Sequence, residues 1–356
     1  MERALLVTVD LGKREAWTAE ERSNELSELA RSAGALVVRN EIVRRHELSP
    51  AQYIGKGKAE ELSAIVASEN IGIVIFNHDL TGTQTKNLKE ALGVKTIDRT
   101  QLILDIFARR ARSNEGKVQV ELAQLMYLLP RLTGKDEGLS RLGGGIGTRG
   151  PGEQKLEVDR RRIRTRISKL KRDLEGLEGR REMMRKRRGR FAIPMIAIIG
   201  YTNTGKSTLL NALTGANAIV RDKLFATLDP TVRRFRMPSG QETLFVDTVG
   251  FLNDLPHHLI EAFKATLEEV TNADLILHLV DASHPKAIEQ SRAAYQVLEQ
   301  IGAKSKPIIT VLNKIDKVAD PETIKKLKGY FGKSVAISAL KKEGFGELIQ
   351  TIMTGF

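Results

Sequence analysis

Eight consecutive residues, Gly200-Tyr201-Thr202-Asn203-Thr204-Gly205-Lys206-Ser207, have the composition a chain needs to wrap its backbone around phosphate. Gly200 and Gly205 let N–H groups turn inward, Lys206 brings a point charge for the β- and γ-phosphates, and the Ser207 hydroxyl can ligate Mg²⁺. A chance Gly/Lys turn would account for this string alone. It does not account for the strings that follow. Residues 224–231 form a loop in which Thr227 can close over the metal, with Thr231 as its competitor, and Phe225, Ala226, Leu228 and Asp229 share that loop. In Asp247-Thr248-Val249-Gly250 the aspartate can hold the magnesium shell and the Gly250 N–H can sense a γ-phosphate. In Asn313-Lys314-Ile315-Asp316 a carboxylate can accept both the ring N–H and the exocyclic amine of guanine, a pair adenine does not offer. Ser338-Ala339-Leu340 can give a backbone N–H to the guanine carbonyl. The chemistry expected is binding of GTP with Mg²⁺, with Lys206, Thr227, Gly250 and Asn203 nearest the reacting phosphate.

These strings need strand ends to hold them. Apolar stretches at 193–199, 243–246, 308–312 and 334–337 run into four of them, and a helix starts at 207–213. From 191 to 356 strand and helix alternate, ending in an amphipathic stretch at 344–353. The pattern predicts one α/β domain with a mostly parallel, doubly wound sheet. Residues 1–112 predict a smaller α/β domain, with strands at 4–9, 35–38, 71–76 and 94–97. Its helices are expected at 19–33, 58–68, 83–92 and 100–110. Within it Tyr53-Ile54-Gly55-Lys56-Gly57-Lys58 is glycine-rich without dinucleotide spacing, and serves either as a turn or as an RNA or phosphate contact.

Residues 113–190 follow a different pattern. Val118, Leu122, Leu125, Leu129 and Leu132 recur at intervals of four and three, as do Ile163, Ile167, Leu170, Leu174 and Leu177. Each series gives a helix one apolar seam, so the two predict an antiparallel hairpin, with Pro130 bending or ending the first helix. The connection, 134–152, holds eight glycines together with Lys135, Arg141 and Arg149. It is either a slack linker or a segment that orders against a partner.

The net charge of +13 is concentrated in the second helix, where 159–190 carries fifteen Lys or Arg against five Asp or Glu, a net of +10. That block implies a polyanionic partner, or else a solvated helix face. The absence of cysteine excludes disulfides and thiolate metal sites and fits a reducing cytoplasm. The histidines have no ligand spacing, and the longest apolar runs, such as 195–199, are too short to cross a bilayer. Asp254, His257 and His258 have no recognisable partner in sequence and read as surface loop.

The chain resembles the HflX family of translation-associated P-loop GTPases over nearly its full length. The resemblance rests on 53–58, 143–152 with Pro151-Gly152-Glu153, 200–207, 225–229 and 247–251. It implies a GTPase that binds the large ribosomal subunit, docking its N-terminal domain and hairpin on ribosomal RNA with the glycine loop reaching toward the peptidyl-transferase region. A monomer without a DNA partner is expected. The rival readings are an RNA-binding nucleotide sensor with negligible turnover and a GTPase acting on non-ribosomal RNA. Phe251 stands where many small GTPases place a water-orienting glutamine, so slow hydrolysis in isolation is expected. Asn203 resembles the pattern of potassium-activated GTPases, in which K⁺ supplies the positive charge; the alternative is an asparagine chosen for loop geometry.

Overall fold

The computed structural model of the 356-residue chain describes residues 1–12, 16–132, 151–188, 193–215, 224–225 and 228–355. All of the glycine loop except Pro151 and Gly152 lies outside these residues, as do Ala226 and Thr227. The chain divides into two compact units. One comprises Met1–Arg109 with Val118–Glu175; the other comprises Arg110–Lys117 with Gly176–Phe356.

The first unit is built on strands β1 (Arg3–Asp10), β2 (Leu36–Arg44), β3 (Ile73–Phe76) and β4 (Lys95–Asp98), all parallel in the order β2-β1-β3-β4. Helices α1 (Ala19–Ser32), α2 (Lys56–Ser68), α3 (Gly82–Leu92) and α4 (Arg99–Arg110) connect and follow them. Residues 4–9 of β1 are buried throughout, which is why they read as an unbroken apolar run. Helices α1 and α3 begin with reciprocal caps, Thr18 with Glu21 and Thr81 with Gln84, each satisfying two N–H groups. Strand β2 runs six residues past the expected 38, through Arg39, Asn40 and Glu41, because pairing with β1 rather than burial holds it.

The hairpin follows as α5 (Asn114–Leu128), a 3₁₀ turn at Leu129–Arg131 that contains Pro130, and α6 (Pro151–Arg188). The second helix thus starts on a proline, whose fixed φ suits a first turn. Leu122, Leu170 and Leu174 are buried in the expected seam and the other members of both series are half-buried. The Arg166 fork donates to Glu121 at 2.6 and 2.8 Å, and Arg160 donates to the Leu132 carbonyl at 2.7 Å. Partners that ascend on one helix and descend on the other make the pair antiparallel. By its contacts the hairpin is shared between the two compact units. The other face of α5 is also buried, through Val120, Ala123 and Tyr127. Arg131, just past it, stacks 3.6 Å above Tyr127 and donates to Asp98 at 3.2 Å, so the hairpin up to Glu175 joins the first unit.

In the second unit the strands are β5 (Met195–Gly200), β6 (Thr231–Arg236), β7 (Glu242–Asp247), β8 (Leu275–Asp281), β9 (Ile308–Asn313) and β10 (Ser334–Ala336). They form a sheet in the order β10-β9-β8-β5-β7-β6, with only β6 antiparallel to its neighbour. Helices α7 (Lys206–Thr214), α8 (His257–Ala262), α9 (Lys264–Thr271), α10 (Ala287–Gln300), α11 (Pro321–Phe331) and α12 (Phe345–Met353) complete it. Ile196, Ile198, Leu209, Phe245, Leu277, Val311 and Leu348 share one core, so strands 5, 7, 8 and 9 and helices 7 and 12 are locked together by apolar burial. This is the mostly parallel, doubly wound α/β architecture the sequence implies. No helix among the described residues is long and apolar enough to cross a membrane.

Candidate functional site

Strand β5 ends at Gly200, and the chain turns through Asn203 (φ +60°) and Gly205 (φ +92°) into α7 at Lys206. Gly205 occupies a left-handed conformation that a side chain rarely tolerates. The carbonyl of Thr204, one residue earlier, accepts from Asn313 Nδ2 at 2.8 Å. Asn313 Oδ1 in turn accepts from the Ala339 N–H at 2.9 Å. One amide at the end of β9 therefore ties the phosphate loop to the segment expected to read the base. It uses the Ala339 N–H, one of the three in the segment expected to face guanine, while Leu340 beside it is 73% exposed.

Lys206 is buried, and its ammonium donates to the Tyr201 carbonyl at 2.8 Å and the Gly200 carbonyl at 3.3 Å. Burial lowers its pKa to about 8, with Asp247 opposing that shift and Lys314 adding to it. Phosphate oxygens are stronger acceptors for the same cation than these two carbonyls. Ser207 Oγ donates to Asp247 Oδ2 at 2.6 Å, which places a hydroxyl and a carboxylate side by side at the end of β7. Two oxygen donors of this kind fit Mg²⁺, which binds through one or two protein oxygens and keeps water and phosphate for its remaining positions. Among the described residues no cluster of three or more His, Cys, Asp or Glu could hold a metal on its own.

After Asp247 the chain runs alongside the phosphate loop. Thr248 Oγ1 donates to the Ile198 carbonyl at 2.9 Å, Phe251 N–H to the Gly200 carbonyl at 3.0 Å, and Thr202 N–H to the Phe251 carbonyl at 2.8 Å. Tyr201, nearly buried, accepts the Asn253 N–H on its hydroxyl at 2.8 Å. This bond links the two loops and has no signature in sequence. A Cβ on Gly250 would stand 2.9 Å from both Lys206 Nζ and the Thr202 Cα, so only glycine fits there. Val249 is buried between its neighbours. Phe251 is 1% exposed, its ring fully buried.

At the base-reading end Lys314 has φ +62° and pairs with Asp281 at 2.7 Å, a partner sequence reasoning did not find. Asp316 Oδ1 accepts from Ser338 Oγ at 2.6 Å, which fixes the orientation of the carboxylate that would accept from guanine. Ile315 N–H donates to the Ile337 carbonyl at 3.3 Å. On the loop before β6, Phe225 and Leu228 are buried, and the Asp229 carboxylate is bound by the backbone of Arg112 and Ser113. Asp229 was expected to serve the nucleotide; its oxygens face residues 112–113 instead. Asp254 is exposed and accepts from the Asn253 amide at 2.9 Å, which fits a loop residue.

Three family descriptions match consecutive stretches of the chain: "GTP-binding GTPase N-terminal" at 20–108, "GTP-binding GTPase Middle Region" at 110–188 and "50S ribosome-binding GTPase" at 195–314. The chain is 54% identical to a protein named GTPase HflX from Caldanaerobacter subterraneus subsp. tengcongensis, over 99% of this chain and 80% of the relative. The chain belongs to the HflX family of GTPases. Another HflX, from Escherichia coli strain K12, is 46% identical over 84% of this chain and 70% of its own length. Among solved structures, a GTP-binding protein from Sulfolobus solfataricus in complex with GDP is 26% identical with a TM-score of 0.53, covering 100% of this chain and 98% of that one. The GDP complex described as SsGBP reaches 0.57 at 27% identity, over 99% and 98%. The expectation of a GTP-hydrolysing P-loop protein with an additional N-terminal α/β unit is borne out.

Proposed function

We propose that this HflX GTPase uses the hydrolysis of GTP to time its association with the large ribosomal subunit, which it grips through its N-terminal unit and basic hairpin. The observation that carries the reading is the outward face of α6. Val158, Arg161, Arg162, Thr165, Arg166 and Lys169 line a shallow open groove, with cations at successive turns. Arg166 is paired with Glu121, and Arg162 lies a loose 3.9 Å from Asp159, so the excess charge faces outward. Cations spaced along a helix suit the phosphates of a folded RNA. The matched description of a 50S ribosome-binding GTPase supports the same partner.

In the nucleotide pocket, Lys206 would neutralise the β- and γ-phosphates, Ser207 and Asp247 would hold Mg²⁺ together with Thr227, and the Gly250 N–H would sense the γ-phosphate. Asp316 would read guanine. Magnesium supplies charge neutralisation at the transferring phosphoryl group. Since Phe251 is sealed in the core, no side chain at that position orients water, and turnover is slow until a partner completes the site. Asn203 is exposed on the phosphate loop, which is where a K⁺ ligand would stand. The protein acts as a monomer in the cytoplasm. Cosedimentation with separated ribosomal subunits in each nucleotide state tests the partner. Binding confined to the large subunit and dependent on GTP is expected; equal binding to both subunits in every state overturns the reading. Turnover indifferent to large subunits would refute the activation step, and equal rates in potassium and sodium buffers would remove the potassium role.

A further inference from the structure

Asp229 lies two residues before β6, whose first residue, Thr231, pairs directly with Asp247 across the strands. Its carboxylate reaches a part of the chain more than a hundred residues earlier. Oδ2 accepts the N–H groups of Arg112 at 2.9 Å and Ser113 at 3.0 Å, and Oδ1 accepts the Ser113 hydroxyl at 2.5 Å. Ser113 is at the same time the N-cap of α5. Its Oγ accepts the Gly116 N–H at 2.8 Å and its carbonyl takes the first helical bond, from Lys117 at 3.1 Å. Serine satisfies one orphan donor of the helix, and Asp229 satisfies the two N–H groups just ahead of it while placing a negative charge at the positive end of the helix dipole. The fit is close: a Cβ on Gly116 would overlap the Asp229 carboxylate. Residues 110–117 belong to the nucleotide-binding unit, and from Val118 the same helix belongs to the other.

We propose that Asp229 is a positioning residue that couples the metal end of the nucleotide site to the first turn of α5. The chain of contacts is continuous: Ser207 to Asp247, Asp247 across the ladder to Thr231, Thr231 along the backbone to Asp229, and Asp229 to the cap of the helix that leads into the hairpin. A change of ligand charge at Asp247 is felt at Ser113 through these bonds, and a change at the cap is returned to the nucleotide site by the same factor. The coupling is a property of the nucleotide unit itself and needs no ribosome, so it stands or fails apart from the ribosome reading.

The test is hydrogen exchange of peptides covering 110–117 in the full chain, with GDP and with a non-hydrolysable GTP analogue, both with magnesium. Protection should differ between the two states by about fivefold or more. Ser113→Ala, whose side chain meets Asp229 and none of Lys206, Ser207 and Asp247, should abolish that difference. It should also shift the ratio of analogue to GDP affinity by the same factor, and Ser113→Thr should restore both. Identical protection in the two states overturns the proposal. So does a Ser113→Ala protein with lowered stability but an unchanged affinity ratio, since that would mark a purely structural cap. If Ser113→Ala folds poorly, Asp229→Asn, which turns one of the two acceptor oxygens into an N–H donor and removes the charge, offers the same readout, and a nucleotide dependence that survives it unchanged would also overturn the proposal.

Discussion

The two sheets of this protein are wound alike and used differently. Both are built from parallel strands joined by helices, apart from the antiparallel edge strand β6. In the N-terminal sheet the carboxyl ends of the strands are closed by the protein's own groups. Asp98, at the end of β4, is fully buried and accepts from the N–H groups of Leu80 and Gln101 and from Arg131. Burial pushes its carboxyl above the ordinary range in spite of these partners. Arg99, the next residue, pairs with Glu25 at 2.8 Å. In the nucleotide sheet the corresponding ends carry Gly200, Asp247 and Asn313. There Lys206 is held by backbone carbonyls, Ser207 by Asp247, and Asp316 by Ser338. A parallel sheet supplies the positions at its strand ends; the residue types that stand there decide what each end can do.

Breaking the nucleotide end should produce the largest effect. Lys206→Ala removes the buried cation and should weaken GTP binding by about 3 kcal/mol, more than a hundredfold, measured by fluorescent-nucleotide titration, with the N-terminal unit still folded. Gly250→Ala adds a methyl against Lys206 and Thr202. By displacing Lys206 and the phosphate-loop backbone it should lower turnover about a hundredfold, and nucleotide affinity should fall with it. Breaking the sealed end should do the converse. Asp98→Ala leaves Arg131 without its carboxylate and should cost about 3 kcal/mol of stability in chemical denaturation, with nucleotide affinity unchanged. A nucleotide defect in that variant would show that the N-terminal sheet is not the inert partner in this comparison. The smallest effect is in pH. Lys206 of the nucleotide-free protein loses its proton near pH 8, yet phosphate binds the charged form, so GTP binding must take up a proton above that value. Affinity should be flat below it and fall by at most about tenfold per unit above it, with proton uptake seen by calorimetry in buffers of different ionisation enthalpy.

Much of this was legible in the chain. Four of the five nucleotide strings follow strands of one sheet, the described residues 228–231 of the fifth lead into β6, and the two apolar series do form an antiparallel seam. What was not legible has physical causes. Strand β6 carries Arg233, Arg234 and Arg236 and is an edge held by pairing with β7, so it lacks the apolar run that marks a strand. The second half of β2 was missed for the same reason. The periodic seam of the hairpin gives no sign of the second buried face of α5, which is built from Val120, Ala123 and Tyr127. The Lys314–Asp281 pair, the Tyr201 hydroxyl's partner and the Asp229 cap join residues distant in sequence, and such pairings leave no local pattern.

Asn313 gives one hand to the loop that would cradle the anionic tail and the other to Ala339 beside the purine pocket. Evolution therefore cannot alter this side chain to suit a different base without slackening the hold on the triphosphate in the same step. Asp316, which the Ser338 hydroxyl holds, is where such a change of preference could be made without that penalty.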